Sequence, residues 1–139
     1  DSIRPEYIAQ WFLEQAKRYH IIDILADSFR ISLLESTFQE HGLPLHQVRS
    51  GPITHARVAP LIESMFAEET LVWGDNRTMN WYTGNTYQEL DAKGNITYKK
   101  IEPKTRKTDG FFALIHALSK DNELQERQTD FRILDVYTY

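Results

Sequence analysis

Two aspartates lie where the sequence could place a metal-binding site. Asp27 ends a short apolar run that starts at His20, and Asp109 lies between a basic run and the last apolar segment. In open α/β sheets ligands bind at the carboxyl ends of the strands, which is the position expected for Asp27. If the fold brings both carboxylates together, they would bind a hard divalent cation, Mg²⁺ or Mn²⁺. Paired ions about 3.5–4 Å apart would activate a water and stabilise the leaving oxygen in phosphodiester cleavage.

The basic run beside Asp109 supplies candidates for phosphate contacts. Residues 99–107 contain five Lys or Arg residues and one Glu, and Lys104, Arg106 and Lys107 stand closest to Asp109. Such side chains neutralise the phosphates of a nucleic-acid backbone. Because the formal net charge of the chain is −4, we expect DNA contacts only at this run and at the loop around Arg49.

Each aspartate also has a purely structural alternative. Asp is a preferred helix N-cap, so Asp27 could cap a helix that starts at Ser28, and Asp109 one that starts at Gly110. Asp23 shares one side of a strand with Asp27 and could substitute as a ligand, although a surface-facing or hydrogen-bonded role near the strand start is favoured.

The histidines and aromatic residues favour packing over chemistry. A His-based metal site is disfavoured because no pair has the i,i+4 spacing of a zinc-binding helix; the residues weighed are His41, His46, His55 and His116. Four aromatic rings could stack on bases, but rings this dense usually pack on a sheet or on each other; these are Trp73, Trp81, Tyr82 and Tyr87.

The composition excludes several classes of protein. The 139 residues include no Cys, which excludes disulfides, thiolate metal sites and Cys nucleophiles. Neither a phosphate-cradling ATP loop nor a Gly-x-Ser-x-Gly elbow occurs in the sequence. The longest apolar run is about five residues, far below the ~20 that span a bilayer, so no membrane partner is expected. With 41% hydrophobic residues, the chain can form one folded domain with a core.

Alternating helix and strand patterns would position Asp27. A helix is predicted over 5–19, followed by an Ile-rich strand over 20–27 that is buried on both faces. A second helix over 28–41 stops at Gly42, and a weak short strand follows within 43–48. Connections this short imply right-handed crossovers and a mostly parallel sheet.

A third helix follows a loop over 50–54. Apolar residues from Val58 to Phe66 repeat at helical spacing, and Pro60 is expected in the first turns, where it is tolerated. Residues 70–74 are predicted to be a short strand or an extended piece.

The last part of the chain would position Asp109. Residues 78–102 are predicted to form a β-hairpin around the Gly-containing turn at 91–95. Asp109 then precedes a final apolar helix that reaches Leu118. We therefore expect one domain over 1–120, and an acidic tail over 121–139 that forms a last strand, binds a partner or is mobile.

The closing motif resembles that of the nuclease domain of tailed-phage terminase large subunits. In that family a Lys/Arg-rich stretch runs into Lys-x-Asp-Gly and an Ala-rich helix, as residues 98–117 do here with Lys107-Thr108-Asp109-Gly110. Asp27 is similar to the strand-ending acid of the family. The segments at 74–76 and 80–85 match its intervening segment, and the likeness covers most of 5–120 in the right order.

The resemblance implies an RNase H-like α/β fold, which is a mixed sheet flanked by helices, with an added β-hairpin and an acidic two-metal site. Asp27 and Asp109 would be catalytic residues and ligands of Mg²⁺ or Mn²⁺. The implied activity is endonuclease cleavage of concatemeric double-stranded DNA into genome lengths, in the host cytoplasm. The portal and the small terminase subunit would be partners of the full-length protein.

The resemblance also implies parts that the sequence does not supply. The first acid of the family lies on an opening strand that should precede the helix at Pro5, and the ATPase domain is also missing. We therefore expect a C-terminal piece that lacks its N-terminal strands, binds Mg²⁺ or Mn²⁺ weakly and cuts DNA poorly or not at all.

Two other function classes fit the same sequence. The first is a non-catalytic interaction module that docks on a portal or partner subunit, and it predicts no carboxylate-dependent Mn²⁺ binding. The second is an RNase H-like recombinase or resolvase, which predicts a preference for branched DNA over linear duplex. The fold alone cannot choose among them, since function depends on the site.

Overall fold

The computed structural model describes residues 3–29 and 31–120. The contacts divide the chain into two units, the N-terminal unit (residues 1–50) and the C-terminal unit (residues 51–139). The predicted acidic tail, residues 121–139, lies outside the described residues. None of the helices within the described ranges is long and apolar enough to cross a bilayer.

Among the described residues of the N-terminal unit, two helices alternate with two short strands. These elements are α1 (Pro5–Ala16), β1 (Leu25–Ala26), α2 (Ser32–Glu40) and β2 (His46–Gln47). The strands pair in parallel with Leu25 opposite His46, which confirms the predicted element order and the parallel pairing. Both strands are shorter than predicted. Their ladder begins at the hydrogen bond from the His46 amide to the Ile24 carbonyl and ends at the bond from the Val48 amide to the Ala26 carbonyl.

The helix predicted over 28–41 begins later, at Ser32. The cause lies in the turn after β1, where Oδ1 of Asp27 accepts a hydrogen bond of 3.0 Å from the Phe29 amide. A side chain that satisfies a local amide in this way stabilises a turn in place of a helix. Asp27 is therefore not the N-cap of a helix at Ser28.

The end of α2 is the one that the sequence predicts. Gly42 has a φ of +67°, a conformation that favours glycine. Its amide donates to the Gln39 carbonyl at 3.1 Å, and the Leu43 amide donates to the Phe38 carbonyl at 2.9 Å. These two bonds form a Schellman motif, which confirms the predicted helix stop.

The core of the N-terminal unit is small. Its buried members are Ala9, Ile24 and Phe38, one from α1, one beside β1 and one from α2. The Phe12 and Phe38 rings meet edge to face with centroids 5.9 Å apart. Half-buried apolar side chains complete the cluster, namely Ile8, Phe12, Ile21, Leu34, Leu43 and Leu45.

The C-terminal unit contains three helices and a hairpin among its described residues. In chain order these are α3 (Pro52–Ala67), α4 (Arg77–Gly84), β3 (Thr86–Leu90), β4 (Ile96–Lys100) and α5 (Asp109–Leu118). The antiparallel hairpin pairs Thr86 with Lys100 and Leu90 with Ile96. Its turn at 91–95 is the predicted one, with Gly94 at a φ of +81°.

Two predictions for the C-terminal unit, on residues 77–84 and on Pro60, are wrong in detail. Residues 77–84 form a helix and not the start of a hairpin arm, because the Asn76 side chain caps the Met79 amide at 2.9 Å. Residues 70–73 belong to no strand of the described chain, which leaves the extended piece of the two forms predicted there. Pro60 lies inside α3, not in its first turns, since α3 already begins at Pro52.

The core of the C-terminal unit places α3 and α5 against the hairpin. Its buried members are Val58, Ala59 and Ile62 from α3, Tyr98 from β4, and Phe111 and Ile115 from α5. The Tyr98 and Phe111 rings pack edge to face at 5.2 Å. Because α5 carries two of these residues, its first turn, which bears Asp109, is fixed relative to the hairpin.

Candidate functional site

The segment between β4 and α5, residues 101–108, forms a tight loop that we name the basic loop. Its cationic side chains Lys104, Arg106 and Lys107 are all exposed. Glu102 organises the first half of the loop: its carboxylate accepts the Lys104 amide at 2.9 Å and the Thr105 amide at 2.7 Å. The Thr105 hydroxyl also donates to this carboxylate.

These hydrogen bonds keep Glu102 ionised. They lower the pKa of its carboxyl, with the Thr105 hydroxyl as the largest cause, followed by the Lys104 and Thr105 amides; the charge of Arg106 adds a smaller effect. The acid in the middle of a basic run is therefore a charged acceptor around which the backbone turns.

Asn85, between α4 and β3, forms hydrogen bonds to the backbone near both ends of the basic loop. Its carbonyl accepts the Ile101 amide at 2.9 Å, and its side-chain amide donates to the Lys107 carbonyl at 2.9 Å. Asn85 is buried, and Thr108 at the end of the loop is fully buried. The basic side chains are thus carried by a backbone that is anchored at both ends.

Asp109 is the first residue of α5 and lies directly after the basic loop. It is exposed, and its carboxylate makes no hydrogen bond to a described residue. Thr108 occupies the N-cap position, so Asp109 is not the cap but an acid in the first turn, where the helix dipole favours negative charge. Lys104, Arg106, Lys107 and Asp109 are therefore held together on one anchored segment.

Gly110 explains how α5 begins so close to α4. A Cβ at this position would lie 2.4 Å and 2.9 Å from two ring carbons of Tyr82 and 3.1 Å from the sulfur of Met79. Only glycine lets the first turn of α5 approach α4 this closely. The glycine after Asp109 therefore has a packing role in setting where the carboxylate lies.

Asp27 lies directly after β1, at the carboxyl end of the parallel pair, and is exposed. Its Oδ1 accepts the Phe29 amide, while its Oδ2 makes no hydrogen bond to the described residues. One carboxylate oxygen is thus used by the turn and the other is available to a ligand.

Asp23 is a hydrogen-bonded structural residue, which confirms the role favoured from the sequence. Its side chain is 8% exposed. Oδ1 accepts the Ile24 amide at 2.8 Å and lies 2.7 Å from Nδ1 of His46. A carboxylate that is buried and engaged in this way is poorly placed to bind a metal ion in the place of an exposed one.

Three further histidines pair with a side chain or pack inside a unit. Nε2 of His41 lies 2.9 Å from Oε1 of Glu6. His55 and His116 are buried in the C-terminal unit, and Nδ1 of His55 accepts the Tyr98 amide at 3.2 Å. Burial lowers the pKa of His55, and the charge of His116 lowers it further.

Of the four aromatic side chains weighed from the sequence, Trp73, Trp81 and Tyr82 make ring contacts, whereas Tyr87 is exposed. The rings of Phe66 and Trp73 meet edge to face at 5.9 Å, and those of Trp81 and Tyr82 lie 5.5 Å apart. Nε1 of Trp73 donates to the Asn80 side chain at 2.7 Å. For Trp73, Trp81 and Tyr82 these contacts are the packing alternative that the sequence favours.

The two candidate ligands have the chemistry that Mg²⁺ requires. Both Asp27 and Asp109 offer exposed carboxylate oxygens, and Mg²⁺ is commonly held by one or two carboxylates together with waters and substrate phosphates. Within the described ranges there is no group of three or more His, Asp or Glu side chains that could hold a metal ion. Asp27 belongs to the N-terminal unit and Asp109 to the C-terminal unit, and their binding of one cation stays a prediction.

The residues that position the basic loop and Asp109 are not among those predicted from the sequence. Glu102 precedes the amides that it binds by two and three residues, which is a local signal for a turn that could have been found. Asn85 and Tyr82 act on residues far along the chain, on Lys107 and Gly110, so no local pattern reveals them.

The fold is similar to part of one solved structure, the crystal structure of the HK97 bacteriophage large terminase. The match has a TM-score of 0.70 at 18% sequence identity and covers 85% of this chain. It covers 25% of the terminase chain, so this chain spans about a quarter of that protein. No protein-family model matches, and no curated protein is similar in sequence. The likeness confirms the predicted RNase H-like α/β fold class and the resemblance to a domain of a terminase large subunit.

Proposed function

We propose that this chain is the nuclease domain of a phage terminase large subunit, which cuts concatemeric double-stranded DNA into genome lengths in the host cytoplasm. The observation that carries the proposal is the anchored basic loop leading directly into an exposed Asp109, in a chain that has the fold of part of a large terminase. In the longer protein, the portal and the small terminase subunit would be its partners.

The basic loop would bind the DNA backbone. Lys104, Arg106 and Lys107 neutralise phosphates without reading bases, so this contact provides affinity and orientation and no sequence preference. Because Lys107 lies two residues before Asp109, a phosphate held by this lysine would come close to the carboxylate.

Asp27 and Asp109 would each hold Mg²⁺ or Mn²⁺ through a carboxylate oxygen, and the ion would supply an activated water and stabilise the leaving oxygen. For Asp27 the available atom is Oδ2, since the turn uses Oδ1. For Asp109 the side chain is exposed and makes no hydrogen bond to the described residues, and α5 fixes its backbone.

The test combines Mn²⁺ binding with plasmid nicking, both on the full chain. Mn²⁺ binding is measured from the loss of the free-ion resonance in electron paramagnetic resonance. We expect Asp27→Asn and Asp109→Asn each to weaken Mn²⁺ binding about tenfold or more and to abolish any nicking. Glu69→Gln is the matched control, because this exposed acid has no side-chain hydrogen bond to the described residues and its loss changes the charge equally.

The competing functions give different results in the same assays. Mn²⁺ binding that is absent, or unchanged in both aspartate variants, would reject the nuclease and favour a non-catalytic interaction module. Cleavage of branched DNA in preference to linear duplex would favour the recombinase or resolvase.

A further inference from the structure

The basic loop contains one acid, and that acid opposes the binding of DNA if only charge is counted. Glu102 is ionised and lies within five residues of three exposed cationic side chains. Removing its charge would make the loop more attractive to phosphates by one unit. If charge alone determined the affinity, removal of the Glu102 charge would therefore tighten DNA binding.

The contacts of Glu102 give it a different role. Its two carboxylate oxygens hold the amides of residues 104 and 105, and the Thr105 hydroxyl also donates to it. These are the backbone positions that carry Lys104 and precede Arg106. Together with the Asn85 contacts at residues 101 and 107, they fix the loop at its ends and in its middle.

We propose that Glu102 is a positioning residue that holds the basic loop in the conformation that binds successive phosphates of a double-stranded nucleic acid. The inference rests on the DNA partner of the proposed function and adds that the site depends on the order of the loop as well as on its charge. An ordered loop loses less conformational entropy on binding, so its cations bind phosphates more tightly than the same cations on a loose segment.

The two roles predict opposite signs for one substitution. Glu102→Gln adds one unit of positive charge, so electrostatics alone gives about threefold tighter binding of duplex DNA. Loss of the ionised acceptor loosens the turn at residues 104 and 105, and we expect this effect to dominate, with about fivefold weaker binding. Thr105→Val removes the hydroxyl contact without a charge change and should weaken binding by about twofold.

Binding is measured on the full chain by fluorescence anisotropy with a linear duplex, in EDTA so that cleavage cannot contribute. Glu69→Gln is the control for charge and should bind as tightly as the wild type, or slightly more tightly. Amide hydrogen exchange of residues 104 and 105 gives an independent measure, and Glu102→Gln should accelerate it without accelerating exchange in α3.

Each outcome decides the proposal. Weaker binding by Glu102→Gln with faster exchange at 104 and 105 supports it. Tighter binding, or unchanged exchange at these amides, overturns it even if Mn²⁺-dependent nicking confirms the nuclease. Conversely, weaker duplex binding by Glu102→Gln in a chain that binds no Mn²⁺ supports the positioning role and rejects the nuclease. A wild-type chain that binds no duplex overturns both.

Discussion

The substitution Gly110→Ala tests whether close packing of α5 against α4 sets the position of Asp109. The added Cβ would lie 2.4 Å from one Tyr82 ring carbon, which is far inside van der Waals contact. The Tyr82 ring is half-buried and packs against the core of the C-terminal unit, so it cannot simply swing into solvent. The first turn of α5 must therefore move, and Asp109 moves with it.

The expected change in the free energy of unfolding follows from two opposing effects. Overpacking of this kind costs about 1–3 kcal/mol. Replacing a helical glycine with alanine recovers up to about 1 kcal/mol of helix propensity. The net expectation is a loss of about 1–2 kcal/mol in the free energy of unfolding, or about 4–8 °C in Tm.

Thermal and urea unfolding of the full chain measure this loss, with Gly84→Ala as the matched control. Gly84 ends α4 with nothing within 4 Å of its would-be Cβ and no positive φ, so alanine there should be neutral or slightly stabilising. Combining Gly110→Ala with Tyr82→Leu should recover about 1 kcal/mol as a coupling energy. A Gly110→Ala chain as stable as the wild type would refute the reasoning.

Three further substitutions test other parts of the structure. Phe38→Ala removes a ring that is 1% exposed and should cost about 3–5 kcal/mol of stability in the N-terminal unit, measured by urea unfolding. Asn85→Ala deprives the Lys107 carbonyl of its donor and should cost about 1–2 kcal/mol, measured in the same way. Burial and the charge of His116 lower the pKa of His55 below its ordinary value of 6.5, so the unfolded chain takes up this proton first as the pH falls. As the pH falls below 6.5, His55 should therefore lower the free energy of unfolding by at most about 1.4 kcal/mol per pH unit. The substitution His55→Gln should reduce the decrease in Tm between pH 6.5 and 5.

These three predictions can each be contradicted by a single result. A loss below about 1 kcal/mol for Phe38→Ala would show that the small N-terminal core contributes little. Unchanged stability of Asn85→Ala would show that water replaces the side-chain amide at the Lys107 carbonyl. An identical pH dependence of wild type and His55→Gln would assign the acid sensitivity to other groups.

Elements with complete local signals could be predicted from the sequence. The glycine at position 42 and the turn at 91–95 require special backbone conformations that only certain residues adopt, and both were found where expected. The helix α4 was missed because Met79 and Trp81 alternate as in a strand, whereas the capping side chain of Asn76 decides in favour of a helix. A cap of one residue is a weaker pattern than alternating apolar residues, although it gives the correct structure here.

The candidate site shows the same division between local and distant causes. Lys104, Arg106, Lys107 and Asp109 are close in sequence, so any ordered backbone keeps them close in space. Whether that backbone is ordered depends on Asn85, which is 22 residues from its partner Lys107. The sequence could therefore predict that these side chains lie close together, while the contacts that hold them in place required the structure.

Gly110, the residue after Asp109, has both a local sequence signal and a contact with a residue distant in the sequence. Its place in the Lys-x-Asp-Gly pattern is visible in the sequence, where it has no chemistry of its own. In the structure, the Tyr82 ring occupies the space that any larger residue would need. Since α5 also contributes Phe111 and Ile115 to the core, a shift at its first turn is resisted by burial further along the helix. The position of the Asp109 backbone is therefore determined by apolar packing on the inner side of the helix, and under the proposed function substitutions there should alter Mn²⁺ binding without changing either proposed ligand.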